Sequence, residues 1–351
     1  MKEIPTPSNP ELFHLAVLNP GGGDPHQTFS DRAGMPVASG HPPVNYHAYA
    51  ACTRGSFHRD AKTIAPDSRA VLLLLRRDLK LCLKSLIALQ AAGKVVAVSL
   101  KESGSHQVAA LLADPAKMAL FREICVRADL CLSSTPDLIP LYLGAGARWA
   151  EFLPTPYPVD DTRWDFARPV SERRGIFLGT REFDVPSRNH LAALLSVRQL
   201  GVPVTVCNLD GRRGRRRLQS LGFEKERLRI VEGKIAYPDY LRLVASHRIV
   251  FQLDRSAVPG QVAGDALLAH IPCVGGDGAV DRLAFYPLSC FCQSSVDLIA
   301  NASLLLRDDA AYAQAVEESQ QLAREQLSFT VVAERLASLF TSLSSKPQPR
   351  K

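Results

Sequence analysis

The chain has no long apolar stretch. No run of about 18 apolar residues occurs in its 351 positions, so we expect no helix that spans a membrane. The segment from Met1 to Pro7 lacks the continuous apolar core of a signal peptide. Apolar residues make up 46% of the chain and charged residues 22%, which is typical of a globular protein. These features together predict a cytoplasmic protein.

The chain also lacks a cysteine pattern that would hold a metal. Its eight cysteines are scattered, and only Cys290 and Cys292 stand close together. That spacing matches no common zinc-binding pattern. Most of the cysteines lie in apolar runs, as reduced cysteines in the core of a cytoplasmic protein do. We therefore expect no metal, no disulfide framework and no cofactor.

Positive charge is in excess, with a net charge of +7 and a dense cluster at Arg212–Arg217. A nucleic-acid site would need aromatic side chains between the basic ones to stack on bases, and this cluster contains none. We therefore expect no nucleic-acid partner. Two interpretations of the cluster stay open: a solvated helix face, or attraction to a polyanion such as anionic lipid at the inner membrane face.

Short apolar segments alternate with amphipathic ones, which is typical of parallel sheets covered by helices on both faces. We therefore predict an α/β protein built from two Rossmann-like, doubly wound domains at residues 1–165 and 172–310. A helical segment at 311–343 is expected to pack back on them. Strands are predicted at 12–18, 71–75, 95–100, 130–132, 150–153, 176–178, 202–208, 228–231, 249–253 and 273–274.

Two stretches interrupt this alternation. Residues 31–68 are rich in glycine, proline and histidine, which favours a long irregular surface region. Prolines at 156, 158 and 169 break the periodicity between the two halves, as expected of a linker. The C-terminal stretch 310–342 has apolar residues spaced three and four apart, which predicts helix.

The clearest sign of a ligand-binding site in the sequence is a glycine turn in the second half of the chain. Pro259, Gly260 and Gln261 open a predicted helix that carries Asp265 and leads into a buried strand. The N-terminus of such a helix presents free N–H groups and the positive end of the helix dipole, which suit a diphosphate. We predict that a phosphorylated nucleotide binds there.

A second glycine-rich turn follows the first predicted strand. Gly22 and Gly23 leave the backbone open to close approach by an anion, although an ordinary glycine turn explains them equally well. Asp24 and His26 come next and are candidates to contact a sugar or an acceptor.

Several segments, taken in order, resemble a GT-B glycosyltransferase of the retaining family-4 (glycosyltransferase group 1) type. Four stretches carry the likeness: ADLCLSSTPDLIPLYLGAGARWAEFLPTPYPVDD at 128–161, GIFLGTREF at 175–183, LRIVEGKIAYPDYLRLVASHRIVFQLDRS at 228–256 and VPGQVAGDALLAHIPCVGG at 258–276. The likeness covers most of 172–300 and extends more weakly over 12–27 and 94–160.

The resemblance implies transfer of a sugar from a nucleotide-diphosphate sugar, without a metal and with retention, to a glycan, lipid-linked or small-molecule acceptor. The implied catalytic residues are Arg181, Arg188 and His106. The implied donor-binding residues are Gly22, Gly23, Arg181, Arg188, Lys234, Ile235, Pro259, Gly260, Gln261 and Asp265. The implied acceptor or sugar contacts are Asp24, His26, Lys101 and Glu102.

One departure from the family pattern matters. The family carries two glutamates with seven residues between them, and this chain has Ala257 and Asp265 in their places. The first glutamate normally contacts the transferred sugar. Two alternatives therefore stay open: a GT-B protein without transferase activity that binds a nucleotide sugar or a partner, and a sugar-nucleotide epimerase of the same architecture.

Overall fold

The computed structural model describes residues 13–31, 41–179, 183, 185–224, 226–291 and 293–344. These residues form two largely parallel sheets, one in each half of the chain, with helices packed on them. The α/β class and the parallel sheets predicted from the sequence are confirmed.

The first sheet has seven strands in the order β2-β3-β1-β4-β5-β6-β7. All neighbours are parallel except β2 and β3. Every residue of β4 is buried, as expected of a strand covered on both faces. The strands are β1 (Leu15–Leu18), β2 (Gln27–Thr28), β3 (Ser56–His58), β4 (Ala70–Leu75), β5 (Val95–Leu100), β6 (Leu130–Ser133) and β7 (Ala150–Phe152).

The second sheet has five parallel strands in the order β10-β9-β8-β11-β12. β8 therefore lies at the centre and β10 at one edge. The strands are β8 (Ile176–Leu178), β9 (Val204–Asn208), β10 (Leu228–Glu232), β11 (Ile249–Phe251) and β12 (Cys273–Val274).

Thirteen α-helices occur among the described residues, and none of them has the length and apolar character needed to cross a membrane. Several begin at a side-chain cap; Ser294 and Asp297, for example, form a reciprocal capping box. The helices are α1 (Tyr46–Cys52), α2 (Leu79–Ala91), α3 (Ser105–Leu112), α4 (Pro115–Arg127), α5 (Ile139–Gly144), α6 (His190–Arg198), α7 (Gly211–Gln219), α8 (Tyr237–Ala245), α9 (Gln261–Leu268), α10 (Ala279–Ala284), α11 (Ser295–Arg307), α12 (Asp309–Gln326) and α13 (Phe329–Ser344).

The expectation of an irregular surface at 31–68 is wrong for much of this stretch. All seven residues of α1 are buried, and β3 lies between β1 and β2 inside the sheet. A helix that is enclosed on every side has no polar face, so it leaves no 3.6-residue period in the sequence. Residues 32–40 of the stretch lie outside the described part. The single helix expected at 310–342 is divided into α12 and α13 at Leu327 and Ser328.

Tyr157, in the linker, joins the two halves. Its N–H donates to the carbonyl of Leu327 at 2.8 Å, and its fully buried ring lies against Gly264 of α9. One continuous apolar cluster contains Tyr157 together with residues of both sheets, such as Leu72 and Phe177. The linker is thus part of the shared core.

Replacing Gly264 with alanine should destabilise the protein by at least about 2 kcal/mol, because the added Cβ would overlap the enclosed Tyr157 ring. Gly144→Ala is the matched control: a Cβ on this helical glycine meets nothing within 4 Å. The control should change stability by no more than about 1 kcal/mol. Urea unfolding measures both values, and equal stability of the two variants would contradict the packing described.

Replacing His190 with phenylalanine should flatten the loss of stability in acid. Burial, followed by the charge of Arg188, lowers the pKa of His190 from 6.5 to about 3. The unfolded chain therefore takes up this proton first, and stability falls as the pH drops below 6.5. The slope from this one group is at most about 1.4 kcal/mol per pH unit. Unfolding free energies between pH 7 and 4 test this, with the same exchange at exposed His26 as control; an unchanged slope would contradict it.

Candidate functional site

A cavity of about 350 Å³ lies between the two sheets. Lys101 and Glu102, just after β5, line it from the first half. Gly179 after β8 and Gln252 after β11 line it from the second half. The cavity thus lies at the carboxyl ends of parallel strands, where open α/β sheets bind their ligands.

The glycine turn before α9 forms part of this cavity. Pro259, Gly260 and Gln261, which the sequence analysis predicted to bind a nucleotide, all line the cavity, and the binding itself stays a prediction. Gly260 has φ +93°, and a Cβ there would lie 3.0 Å from the backbone nitrogen of Val280, so the turn needs glycine. The first N–H groups of α9 have no partner within the helix. The turn can therefore face an anion with backbone donors.

Arg188 adds a positive charge to the same side of the cavity, the wall that the second half of the chain forms. It lies in the turn before α6 and lines the cavity, and its Nε is 3.8 Å from Oδ2 of Asp254. Oδ1 of Asp254 accepts the backbone N–H of Ser256 at 2.8 Å. Burial raises the pKa of Asp254, while Ser256 and Arg188 act to lower it. This acid is therefore in position to orient the guanidinium beside the cavity.

Asp265, on α9, is buried and lines the cavity. The hydroxyl of Tyr237 donates to its Oδ1 at 2.5 Å. Burial, followed by the charge of Asp265, raises the pKa of Tyr237 well above its usual value. Asp265 thus reaches the cavity as one member of an acid–phenol pair, a partnership that the sequence analysis missed.

Two further acids at the cavity, Asp254 and Asp281, were not predicted. Oδ1 of Asp281 accepts from Nε2 of Gln252 at 2.8 Å. Burial, followed by the charges of Asp254 and Asp277, raises the pKa of Asp281 well above its usual value. Position just after an apolar strand was the available signal for Asp254. No group of three or more His, Cys, Asp or Glu side chains among the described residues is arranged to hold a metal ion.

The opposite wall belongs to the first half. Of the predicted contacts, Asp24, Lys101 and Glu102 line it. None of the other lining residues of this wall was among the predicted contacts, and five of them come from the stretch predicted to be irregular. These are His41, Asn45, Tyr46, His47 and Phe57.

The ring of His47 lies between two other rings of that wall. Its centroid is 3.6 Å from those of both His41 and Phe57, with interplanar angles of 13° and 11°. Burial, followed by the charges of His41 and Lys101, lowers the pKa of His47 to about 2. The imidazole is therefore uncharged at neutral pH.

Polar contacts bridge the two walls. Nδ2 of Asn45 donates to Oε1 of Gln261 at 3.0 Å, and Ser105 N–H donates to the carbonyl of Ser256 at 3.0 Å. A hydrogen bond of 3.3 Å links Nδ1 of His106 to Oγ of Ser187. His106, predicted to be catalytic, is thus placed at the junction of the walls and outside the residues that line the cavity.

Other predicted residues are not brought to the cavity. Gly22 packs on the side chain of Asn19, and the exposed His26 ring lies 4.6 Å from that of His58. Lys234 and Ile235 follow β10, which is the edge strand, so their loop is displaced from the central strands. Gly23 also lies outside the lining residues, and Lys234 is exposed. Arg181 falls outside the described part of the chain.

The arginine cluster lies on α7, and none of its residues lines the cavity. Arg212, Arg213 and Arg216 are exposed, and Nε of Arg215 pairs with Oε1 of Glu232 at 2.9 Å. This arrangement is that of a solvated helix face. The contact with a membrane surface stays a prediction.

Comparison with known proteins gives structural neighbours only. A scan against protein-family models finds no match, and a search of curated proteins finds none. The chain is similar to the crystal structure of Anabaena Alr3699/HepE in complex with UDP and glucose, with a TM-score of 0.62 and 14% identity, over 94% of this chain and 100% of that one.

Two synthases are also similar. For α,α-trehalose 6-phosphate synthase from Burkholderia multivorans the TM-score is 0.61 with 12% identity, covering 81% of this chain and 74% of that one. For the E. coli trehalose-6-phosphate synthase bound with UDP-2-fluoro glucose the TM-score is 0.60 with 13% identity, covering 80% of this chain and 74% of that one. At these identities the likeness shows the fold, and the GT-B fold predicted from the sequence is confirmed.

The pair formed by Tyr237 and Asp265 should be energetically coupled. In a double-mutant cycle of Tyr237→Phe and Asp265→Asn, urea unfolding should give a coupling of about 1 to 3 kcal/mol, because each single change leaves a buried polar partner. A second cycle pairs Tyr237→Phe with Asp239→Asn, an exposed acid on the same helix, and should be additive within about 0.5 kcal/mol. Equal coupling in the two cycles would count against the pair.

Proposed function

We propose that this protein is a glycosyltransferase that moves a sugar from a nucleotide-diphosphate sugar to an acceptor held in the cleft. The observation that carries the proposal is the cavity itself, at the carboxyl ends of β8 and β11. There the glycine turn of α9 and the guanidinium of Arg188 line the same wall. The UDP and UDP-glucose complexes of the neighbouring HepE structures support UDP as the nucleotide.

The chemistry follows from where charge develops. When the glycosidic bond breaks, its electron pair leaves with the diphosphate, which gains negative charge. Arg188 and the N-terminus of α9 stabilise that charge by donors that are already in place. Arg181 is proposed as a second cation, on the resemblance alone.

The rest of the nucleotide is proposed to lie along the second sheet. Phe177, Cys207 and Tyr240 line the cavity there, with the Phe177 and Tyr240 rings 5.7 Å apart. Flat apolar side chains suit a base, and the pair of Asp265 and Tyr237 is proposed to face the ribose hydroxyls.

The absence of the family's first glutamate is compatible with activity. Ala257 has φ +49° and is nearly buried, and its N–H donates to Asp277 at 2.8 Å. Three residues earlier, Asp254 brings a carboxylate to the cavity, beside Gln252. We propose that this acid and this amide meet hydroxyls of the transferred sugar.

Transfer with retention and without a metal ion is part of the proposal. Three incubations test the reaction: UDP-glucose alone, with sugar acceptors, and with acceptors plus excess EDTA. NMR of the transfer product that forms earliest shows whether the transferred sugar keeps the anomeric configuration of the donor. A changed nucleotide sugar without acceptor would instead indicate an epimerase, and binding without any turnover would indicate a protein that only binds.

Arg188→Ala should weaken UDP binding roughly 10- to 100-fold, as expected for loss of a charge-assisted contact to phosphate. Arg198→Ala, at the exposed far end of α6, is the matched control and should bind UDP as the wild type does. Calorimetric titration with UDP measures both. An unchanged affinity in folded Arg188→Ala protein would contradict the placement of the diphosphate.

A further inference from the structure

We propose that the acceptor in this cleft is an uncharged carbohydrate, recognised through its hydroxyl groups by the wall that the first half of the chain provides. The inference rests on the proposed function and specifies the substrate class of the same site. We name this surface the acceptor wall. It consists of Asp24, His41, His47, Phe57, Lys101 and Glu102.

The charge of the acceptor wall disfavours an anion. Its two carboxylates, Asp24 and Glu102, outnumber its one ammonium group among the described residues. Nζ of Lys101 lies 3.3 Å from Oε1 of Glu102, so most of its charge is already compensated. A phosphate or carboxylate on the acceptor would therefore face net negative charge at close range.

The rings of the acceptor wall suit a sugar. His47 carries no charge at neutral pH because burial holds its pKa low. It is 3% exposed, and its Nε2 has no hydrogen-bond partner. A buried polar atom without a partner is costly, and a hydroxyl that reached it would remove that cost. His41 stacks on the His47 ring, and Nδ1 of His41 donates to the carbonyl of Pro42 at 2.8 Å.

The two walls thus divide the recognition by charge. Arg188 and the start of α9 are on the second-half wall, where the diphosphate is proposed to lie. The acceptor wall offers carboxylates and the uncharged imidazole of His47, which are groups that bind hydroxyls. An acceptor without charge is therefore the one complementary to this wall.

Saturation-transfer NMR on the full-length protein loaded with UDP tests the inference. The probes are glucose, galactose and mannose, each with its own 6-phosphate. We expect at least one uncharged sugar to bind at least fivefold more tightly than its phosphate. Combined Asp24→Asn and Glu102→Gln should reduce that preference at least threefold, while Glu325→Gln, an exposed acid on α12, should leave it unchanged.

A second variant tests the ring stack. His47→Phe keeps a flat ring beside Phe57 but removes Nε2, so the uncharged probe should bind at least fivefold more weakly while UDP affinity stays the same. Preferential binding of a 6-phosphate, or no binding of any uncharged probe to the UDP-loaded protein, would overturn the inference and leave the donor site intact. Failure of the wild type to bind any nucleoside diphosphate would overturn the proposed function itself.

Discussion

The contact between the Tyr157 ring and Gly264 is the constraint on which the rest of the structure depends. It holds the linker against α9, the helix whose first turn forms one side of the cavity. The backbone of the same tyrosine is bonded to Leu327, between the two C-terminal helices. One residue thus couples the linker, α9 and the C-terminal helices. A substitution in the linker would therefore disturb the cavity without touching a lining residue.

Local patterns predicted much of the fold and part of the site. Apolar runs placed most of the strands, and the glycine turn at 259–261 and Asp265 line the cavity. Two kinds of feature left no local signal. Helix α1 is enclosed on every side and shows no amphipathic period. The distance of Lys234 from the cavity follows from β10 being an edge strand, and strand order depends on pairing between distant segments.

The cavity combines opposite electrostatic requirements within about 350 Å³. One wall offers a cation and backbone donors, and the other offers carboxylates and a stack of three rings. Asp254 keeps the guanidinium of Arg188 near the cavity, and Glu102 compensates Lys101. Each cation among the described lining residues thus has an acid beside it, so under the proposed function the backbone donors of α9 add to the attraction for a diphosphate.

The bonds that cross the cleft have a kinetic consequence. Asn45 to Gln261 and Ser105 to Ser256 tie the two walls together, and Arg282 pairs with Asp137 at 3.0 Å. If these contacts must break before a nucleotide sugar of the proposed kind can enter, only the open molecules bind it. The observed affinity is then the intrinsic affinity reduced by the fraction of molecules that are open. In that case the residues of these cross-cleft contacts set how fast the cleft fills and empties, although they need not touch the reacting atoms.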